Sequence, residues 1–208
     1  MPKGSLGLRQ ARRNEIISAC EQLYQTMCFR EITLKEIGQT TSFTRTSIYN
    51  YFQTKEEIFL ALLKNEYELW IEELQTVMDE NERLDKAAFA EKIALSLEHR
   101  KQLLKIMSMN MYDIEENSRM ESLVELKETY GKVLQIFAEL LDKFFPAMSA
   151  EEHKNLIYQF FPFIYGIYPH TTVTDRQREA MEKAGVNYTY MSIREITGNC
   201  LMRLLPDK

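Results

Sequence analysis

Three observations predict an all-α fold. Only seven glycines and five prolines interrupt 208 residues, and strand-like alternation is scarce. From Lys55 the apolar set Ile58, Phe59, Leu62, Leu63, Leu69, Trp70, Leu74, Val77 and Met78 keeps helical spacing for about 25 residues. Before it, two short apolar patterns flank a polar turn at Thr40-Thr41-Ser42. The expected architecture is a small three-helix N-terminal domain over residues 1–55 and a larger helical domain over 56–208.

In chain order, residues 1–8 lack a helical pattern and read as an arm. Lys3, Arg9, Arg12 and Arg13 there suit either phosphate contact or a solvated tail. Ile16, Ile17, Cys20, Leu23, Tyr24 and Met27 make a first helix over 9–27, with Phe29 and Ile32 closing a small core. Cys20 and Cys28 are expected to be core or near-core thiols. Thr33 and Glu36 have capping-box spacing, ahead of the short apolar face of Leu34 and Ile37. Thr44 is the next N-cap, opening a helix that buries Ile48 and Phe52. Arg45, Thr46, Ser47, Tyr49, Asn50 and Tyr51 are left outside. That face holds hydroxyls, an amide and a guanidinium but no carboxylate, which suits a polyanion.

Charge divides the chain in the same place. Residues 1–55 hold eight Lys or Arg against four acids, while the remainder holds 18 bases against 27 acids. A basic head on an acidic body is the footprint of a nucleic-acid-binding domain.

These residues resemble the helix-turn-helix of the TetR family of transcriptional regulators. The resemblance rests on Thr33-x-x-x-Ile37, the Thr44 cap and Ile48-Tyr49-x-Tyr51-Phe52-x-x-Lys55, ahead of a long amphipathic helix. It covers about residues 10–65; the rest agrees in length and helical character. The family often has glycine where this chain has Cys28 and Ser42. The resemblance implies a homodimeric repressor that binds double-stranded operator DNA and answers to a small effector. It makes Lys35, Arg45, Thr46, Ser47 and Asn50 candidates for base edges, and Thr33, Thr44, Tyr49, Tyr51 and Lys55 candidates for phosphates.

Thr54 and Glu57 form a second capping-box pattern at the start of the long helix. Beyond it, helices are expected near 84–98, 101–112, 117–145, 149–168, 174–184 and 189–205. Two stretches stand out. Met107, Met109 and Met111 lead into Tyr112, and Tyr158, Phe160, Phe161, Phe163, Tyr165 and Tyr168 crowd a segment containing Pro162 and Gly166. They read as an apolar effector pocket lined by Met107, Met111, Tyr112, Phe137, Tyr165 and Tyr168, or as dense core or a dimer seam. The dimer is expected on helices 149–168 and 189–205, through Phe160, Phe161, Ile164, Ile196, Cys200, Met202 and Leu204.

Other chemistry is not indicated. Cys20, Cys28 and Cys200 have no paired spacing, so neither a disulfide framework nor a zinc motif is expected, as in a reducing cytoplasm. His99, His153 and His170 share no helical ligand spacing, and no phosphate loop or nucleophile elbow is present. No cofactor is expected. No apolar run approaches the ~20 residues of a membrane span. A helical enzyme or a protein-binding scaffold stands as the alternative to a regulator.

Overall fold

A computed structural model describes residues 3–109 and 111–206, with side chains described from Gly7 onward except Arg45. Among the described residues twelve helices follow in order: α1 Lys3–Thr26, α2 Leu34–Thr40, α3 Arg45–Ile48, α4 Lys55–Glu80, α5 Lys86–His99 and α6 Lys101–Met107, then α7 Met111–Glu116, α8 Met120–Phe144, α9 Ala150–Gly166, α10 Tyr168–Thr171, α11 Asp175–Lys183 and α12 Ile193–Leu204. Among the described residues there is no strand.

The chain forms two compact units. The first takes Met1–Asn65 with Asn110–Thr129, and the second takes Glu66–Met109 with Tyr130–Lys208. This cuts the chain differently from the 1–55 and 56–208 division drawn from charge. Ile58, Phe59 and Leu62 lie in the first unit and are buried, and Tyr24 and Phe29 set their ring edges against Phe59 at 5.0 and 4.8 Å. The first stretch of α4 therefore belongs with the N-terminal helices.

In the first unit, α1 begins at Lys3, so the expected arm at 3–8 is helical. Its residues from Gly7 to Arg12 are exposed, which explains the missing apolar pattern; Leu, Arg, Gln and Ala still favour helix intrinsically. Ile16, Ile17, Cys20 and Tyr24 fill the core, and burial pushes the Cys20 thiol up to about 12, leaving it unreactive. Cys28 is exposed instead of core-facing, its N–H donating to the Glu31 carboxylate. Neither Cys28 nor Ser42 has a positive φ, so neither turn needs the glycine common in the family. The Ser42 N–H is taken by the Glu15 carboxylate of α1, which ties the turn to the first helix.

The start of α4 is built around Glu57, whose side chain is fully buried. Its carboxylate accepts from the Gln53 N–H at 2.8 Å, the Arg119 N–H at 3.1 Å, and Arg119 Nε and Nη2 at 2.5 and 2.8 Å. Thr54 caps the Glu57 N–H as expected, but Glu57 reaches back to Gln53, one residue beyond the Thr54 N–H that a capping box would use. Burial alone pushes this carboxyl up; the Arg119 side chain and the two backbone N–H donors outweigh it and hold it below the ordinary carboxylate range.

In the second unit, Phe89, Ile93 and Leu97 of α5 are buried with Phe137, Leu140 and Leu141 of α8 and with Phe160, Phe161 and Ile164 of α9. Phe137 stacks on Phe160 at 5.2 Å and meets Phe161 edge-on at 5.5 Å. Trp70 is buried and donates its Nε1–H to Ser96 Oγ at 3.0 Å. On α4, Tyr67 takes the inward place expected for Leu69, which is 41% exposed. Phe160, Phe161 and Ile164 thus complete the protomer's own core and are not free for a dimer seam. On α12, Ile196, Cys200 and Leu204 are half-buried, and Met202 is exposed.

The expected helix over 101–112 is split after Met107. The Ser108 hydroxyl donates to the Lys105 carbonyl at 2.8 Å, a local bond that competes with helix continuation. Pro162 sits on the exposed side of α9 and does not end it. Helix α11 closes on Gly185 at φ 66, with Val186 N–H reaching the Met181 carbonyl, a left-handed helix stop. Ser192 and Glu195 form a complete capping box, which sets the start of α12 four residues later than the pattern suggested.

Two outcomes follow. Ser96→Ala strands the buried Trp70 N–H and should cost about 1–3 kcal/mol in denaturant unfolding, with no change in helix content. Because the folded Glu57 carboxyl lies below its unfolded value near 4.5, its contribution is present above that pH and lost as pH falls through the lowered folded value. An acid melt followed by hydrogen exchange should show the Gln53 and Arg119 amides opening over that range, and Glu57→Gln should remove the dependence.

Candidate nucleic-acid interface

The geometry begins with what is buried. Ile37 of α2, Ile48 of α3 and Phe52 just beyond it are fully buried or nearly so, with α2 packed against α1 and α3 against α2. Helix α3 is only four residues long; the Asn50, Tyr51 and Phe52 N–H groups continue its bonding to the Ser47 and Ile48 carbonyls. With those anchors inward, Lys35, Thr44, Thr46 and Asn50 are exposed. Tyr49 is 49% exposed, and Ser47 and Tyr51 are half-buried. No acidic residue occurs between Glu36 and Glu56. From Thr44 to Asn50 the face is polar, rich in donors and free of carboxylates.

Each expected residue has a definite place. Thr33 is the N-cap of α2: its hydroxyl accepts from Lys35 N–H at 3.2 Å and donates to the Glu36 carboxylate, so Glu36 holds the hydroxyl instead of closing a capping box. Thr44 stands at the N-cap of α3 with extended backbone, but its hydroxyl pairs with Ser47 Oγ at 3.2 Å and not with an amide. The Tyr51 ring lies 6.5 Å from Phe43, and its carbonyl accepts from Arg119 Nη2 at 3.3 Å. Arg45 lies in α3, but its side chain is outside the described residues.

Lys55 is the surprise. Its ammonium donates to the Phe29 and Ile32 carbonyls at 2.7 and 3.1 Å and lies 4.1 Å from the Phe29 ring centroid. Two of its three donors are spent inside the protein. Arg13 is likewise engaged internally, with Glu125 at 3.5 Å and over the Phe52 ring, while Arg9 and Arg12 are exposed. Sequence reasoning missed Glu15 and Arg119, and saw Glu57 only as a cap; all three shape this face from behind. Glu57 had capping spacing to signal it; Arg119 had nothing beyond a charge in a polar run.

The six residues expected to line an effector pocket fall in both units. Met111 is half-buried and Tyr112 is 82% exposed, both on α7 in the first unit. In the second unit Met107 and Phe137 are buried, and Tyr165 and Tyr168 are half-buried. Tyr165 shares a 2.9 Å hydroxyl bond with Tyr67, whose ring lies 5.7 Å from Tyr130. Burial raises the Tyr67 phenol well above its ordinary value and pushes Tyr130 up to about 12, so both remain protonated donors at neutral pH. Tyr67 and Tyr130 were not singled out from sequence, because each reads as an ordinary apolar helix position. Among the described residues, no three His, Cys, Asp or Glu side chains converge as metal ligands, and no helix is long and apolar enough to cross a membrane.

Comparison with known proteins agrees with this geometry. Residues 16–62 match the family described as bacterial regulatory proteins, tetR family, and residues 64–205 match the tetracyclin repressor-like C-terminal domain. The HTH-type transcriptional regulator RutR of Escherichia coli K12 is 27% identical over 88 residues. That alignment spans 42% of this chain and 41% of RutR, and the Shigella flexneri RutR matches over the same shares. Among solved structures, a TetR/AcrR-family regulator from Thermobifida fusca superposes with TM-score 0.62 at 14% identity, covering 93% of this chain and 96% of that one. The fatty acid degradation regulator FadR from Bacillus halodurans gives TM-score 0.60 at 14% identity, over 93% and 94% of the two chains. The family matches extend over most of the sequence, and the chain belongs to the TetR family of bacterial transcriptional regulators, with an N-terminal helix-turn-helix and a larger helical C-terminal domain.

Proposed function

We propose that this protein is a cytoplasmic, non-enzymatic repressor that binds double-stranded operator DNA as a homodimer, through its N-terminal head of residues 1–55. The observation that carries this reading is the exposed face of Thr44, Thr46, Tyr49 and Asn50, held on Ile48 and Phe52 in a run from 37 to 55 that contains no acid. In this reading Lys35, Arg45, Thr46, Ser47 and Asn50 meet base edges. Thr33, Thr44, Tyr49, Tyr51 and the remaining donor of Lys55 meet phosphates. One such head covers a few base pairs, so two copies reading two half-sites give useful affinity.

The C-terminal domain, residues 56–208, holds the dimer contact and a small, largely apolar effector. Met107, Phe137, Tyr165 and Tyr168 are its proposed lining, with the Tyr67–Tyr165 phenol pair supporting a polar group on the ligand. Helix α4 runs unbroken for 26 residues, about 39 Å at 1.5 Å per residue, and carries residues of both compact units. A ligand that weakens DNA binding through it must itself bind the DNA-bound protein less well, by the same factor.

Two substitutions separate reading from support. Arg45→Ala should lower affinity for a selected duplex by ~1–3 kcal/mol and leave a random duplex nearly unaffected. Lys55→Ala should weaken both duplexes alike and also lower the melting temperature, because the Phe29 and Ile32 carbonyls lose their donor. Titrations of both duplexes over a salt series measure this. Equal losses on both duplexes for Arg45→Ala contradict its role at base edges. For the effector, a thermal-shift screen of lipophilic compounds should find ligands whose stabilisation falls when the selected duplex is present.

A further inference from the structure

Helix α3 is too short to hold its own position. Beyond its four residues the chain passes through Tyr49–Gln53 as turns, and the next regular structure starts at Lys55. Ile48 and Phe52 fix one side of this stretch. The other side is held by the segment linking α7 and α8, more than sixty residues away in sequence. Arg119 Nη2 donates to the Tyr51 carbonyl at 3.3 Å, and its fork grips the Glu57 carboxylate, which in turn holds the Gln53 N–H. The Arg119 N–H also donates to Glu57, so the guanidinium is tied to its own backbone at the same point. Two residues earlier, the Asn117 carbonyl accepts from the Thr54 hydroxyl at 2.9 Å. The Tyr51 carbonyl and the Thr54 hydroxyl therefore meet one short segment directly, and Gln53 is tied to it through Glu57.

We propose that Arg119 is a positioning residue for DNA reading: through Glu57 and the Tyr51 carbonyl it fixes how α3 is presented to the major groove. This rests on the DNA-binding reading above. It also gives the α7–α8 segment its own route to α3, beside the long helix α4. A shift of that segment by the length of a hydrogen bond releases the Tyr51 carbonyl and the Glu57 clamp together, because one side chain holds both. Arg119 is 42% exposed, so a rival role exists as a plain phosphate contact. The two roles predict opposite signs for Glu57. Removing that negative charge near a polyanion should tighten DNA binding if only charge matters, and should blunt sequence preference if position matters.

The test uses the full chain and a duplex recovered by the wild type from a random pool. Dissociation constants are measured for that duplex and a scrambled one at two salt concentrations, for wild type, Glu57→Gln, Arg119→Lys and Arg119→Ala, with melting curves for each. Arg119→Lys keeps the charge and loses the fork, and it decides the matter if Glu57→Gln does not fold. The expected result is a selected-over-scrambled ratio lowered about tenfold in Glu57→Gln and Arg119→Lys, comparable to one mismatched base pair, with scrambled-duplex affinity unchanged or raised. An unchanged ratio in the folded variants overturns the proposal. So does an Arg119→Ala protein that binds both duplexes equally less well with a flatter salt dependence, since that marks a phosphate contact. A wild type that recovers no preferred duplex removes the DNA-binding reading itself, and this proposal with it.

Discussion

The N-terminal unit depends on one buried carboxylate. A charged side chain shielded from water is tolerable only when its lone pairs are met, and Glu57 meets four donors from two distant parts of the chain. Two come from backbone amides and two from a guanidinium fork, so position and charge are matched at once. The consequence is topological. Residues 110–129 fall into the same compact unit as the helix-turn-helix because Arg119 and Asn117 close on the start of α4. The second unit is held differently, by packed rings with a few satisfied polar pairs such as Trp70–Ser96.

The same economy shapes the exposed face of α2 and α3. Inward anchors are few and apolar, and the polar groups behind them are spent on the protein's own backbone. Glu15 holds the Ser42 amide, Lys55 holds the Phe29 and Ile32 carbonyls, and Glu57 holds the Gln53 amide. Acids that would repel phosphate are thereby turned inward as fasteners, and the outward face between Glu36 and Glu56 keeps none. A basic sequence average is not what makes the face suitable; the placement of its few acids is.

Much of this was legible in the residues. The breaker count and the 3.6-residue spacing gave the helical class, and the Ile48–Phe52 pair gave the inward side of α3. The capping patterns located the starts of α2 and α4, though Thr33–Glu36 and Thr54–Glu57 bond differently from the reciprocal form. What could not be read was long-range: Arg119 stood in a polar run with no local partner, and its meaning lies 62 positions away. The aromatic run near Phe160 was ambiguous for a related reason. Spacing shows that rings share a face, but not whether that face meets the same chain, another copy or a ligand. Here Phe160, Phe161 and Ile164 meet the same chain. The exposed start of α1 failed in the opposite direction, because a helix that buries nothing there leaves no periodic signal.

The central claim is that α2 and α3 read duplex sequence in a two-fold pair. Repeated selection of the purified protein on a random duplex pool, followed by sequencing, tests it most directly. The account predicts an inverted repeat whose half-sites are centred about one helical turn, or a small multiple of it, apart. A pool that stays random, or one enriched in a single site without symmetry, would contradict it.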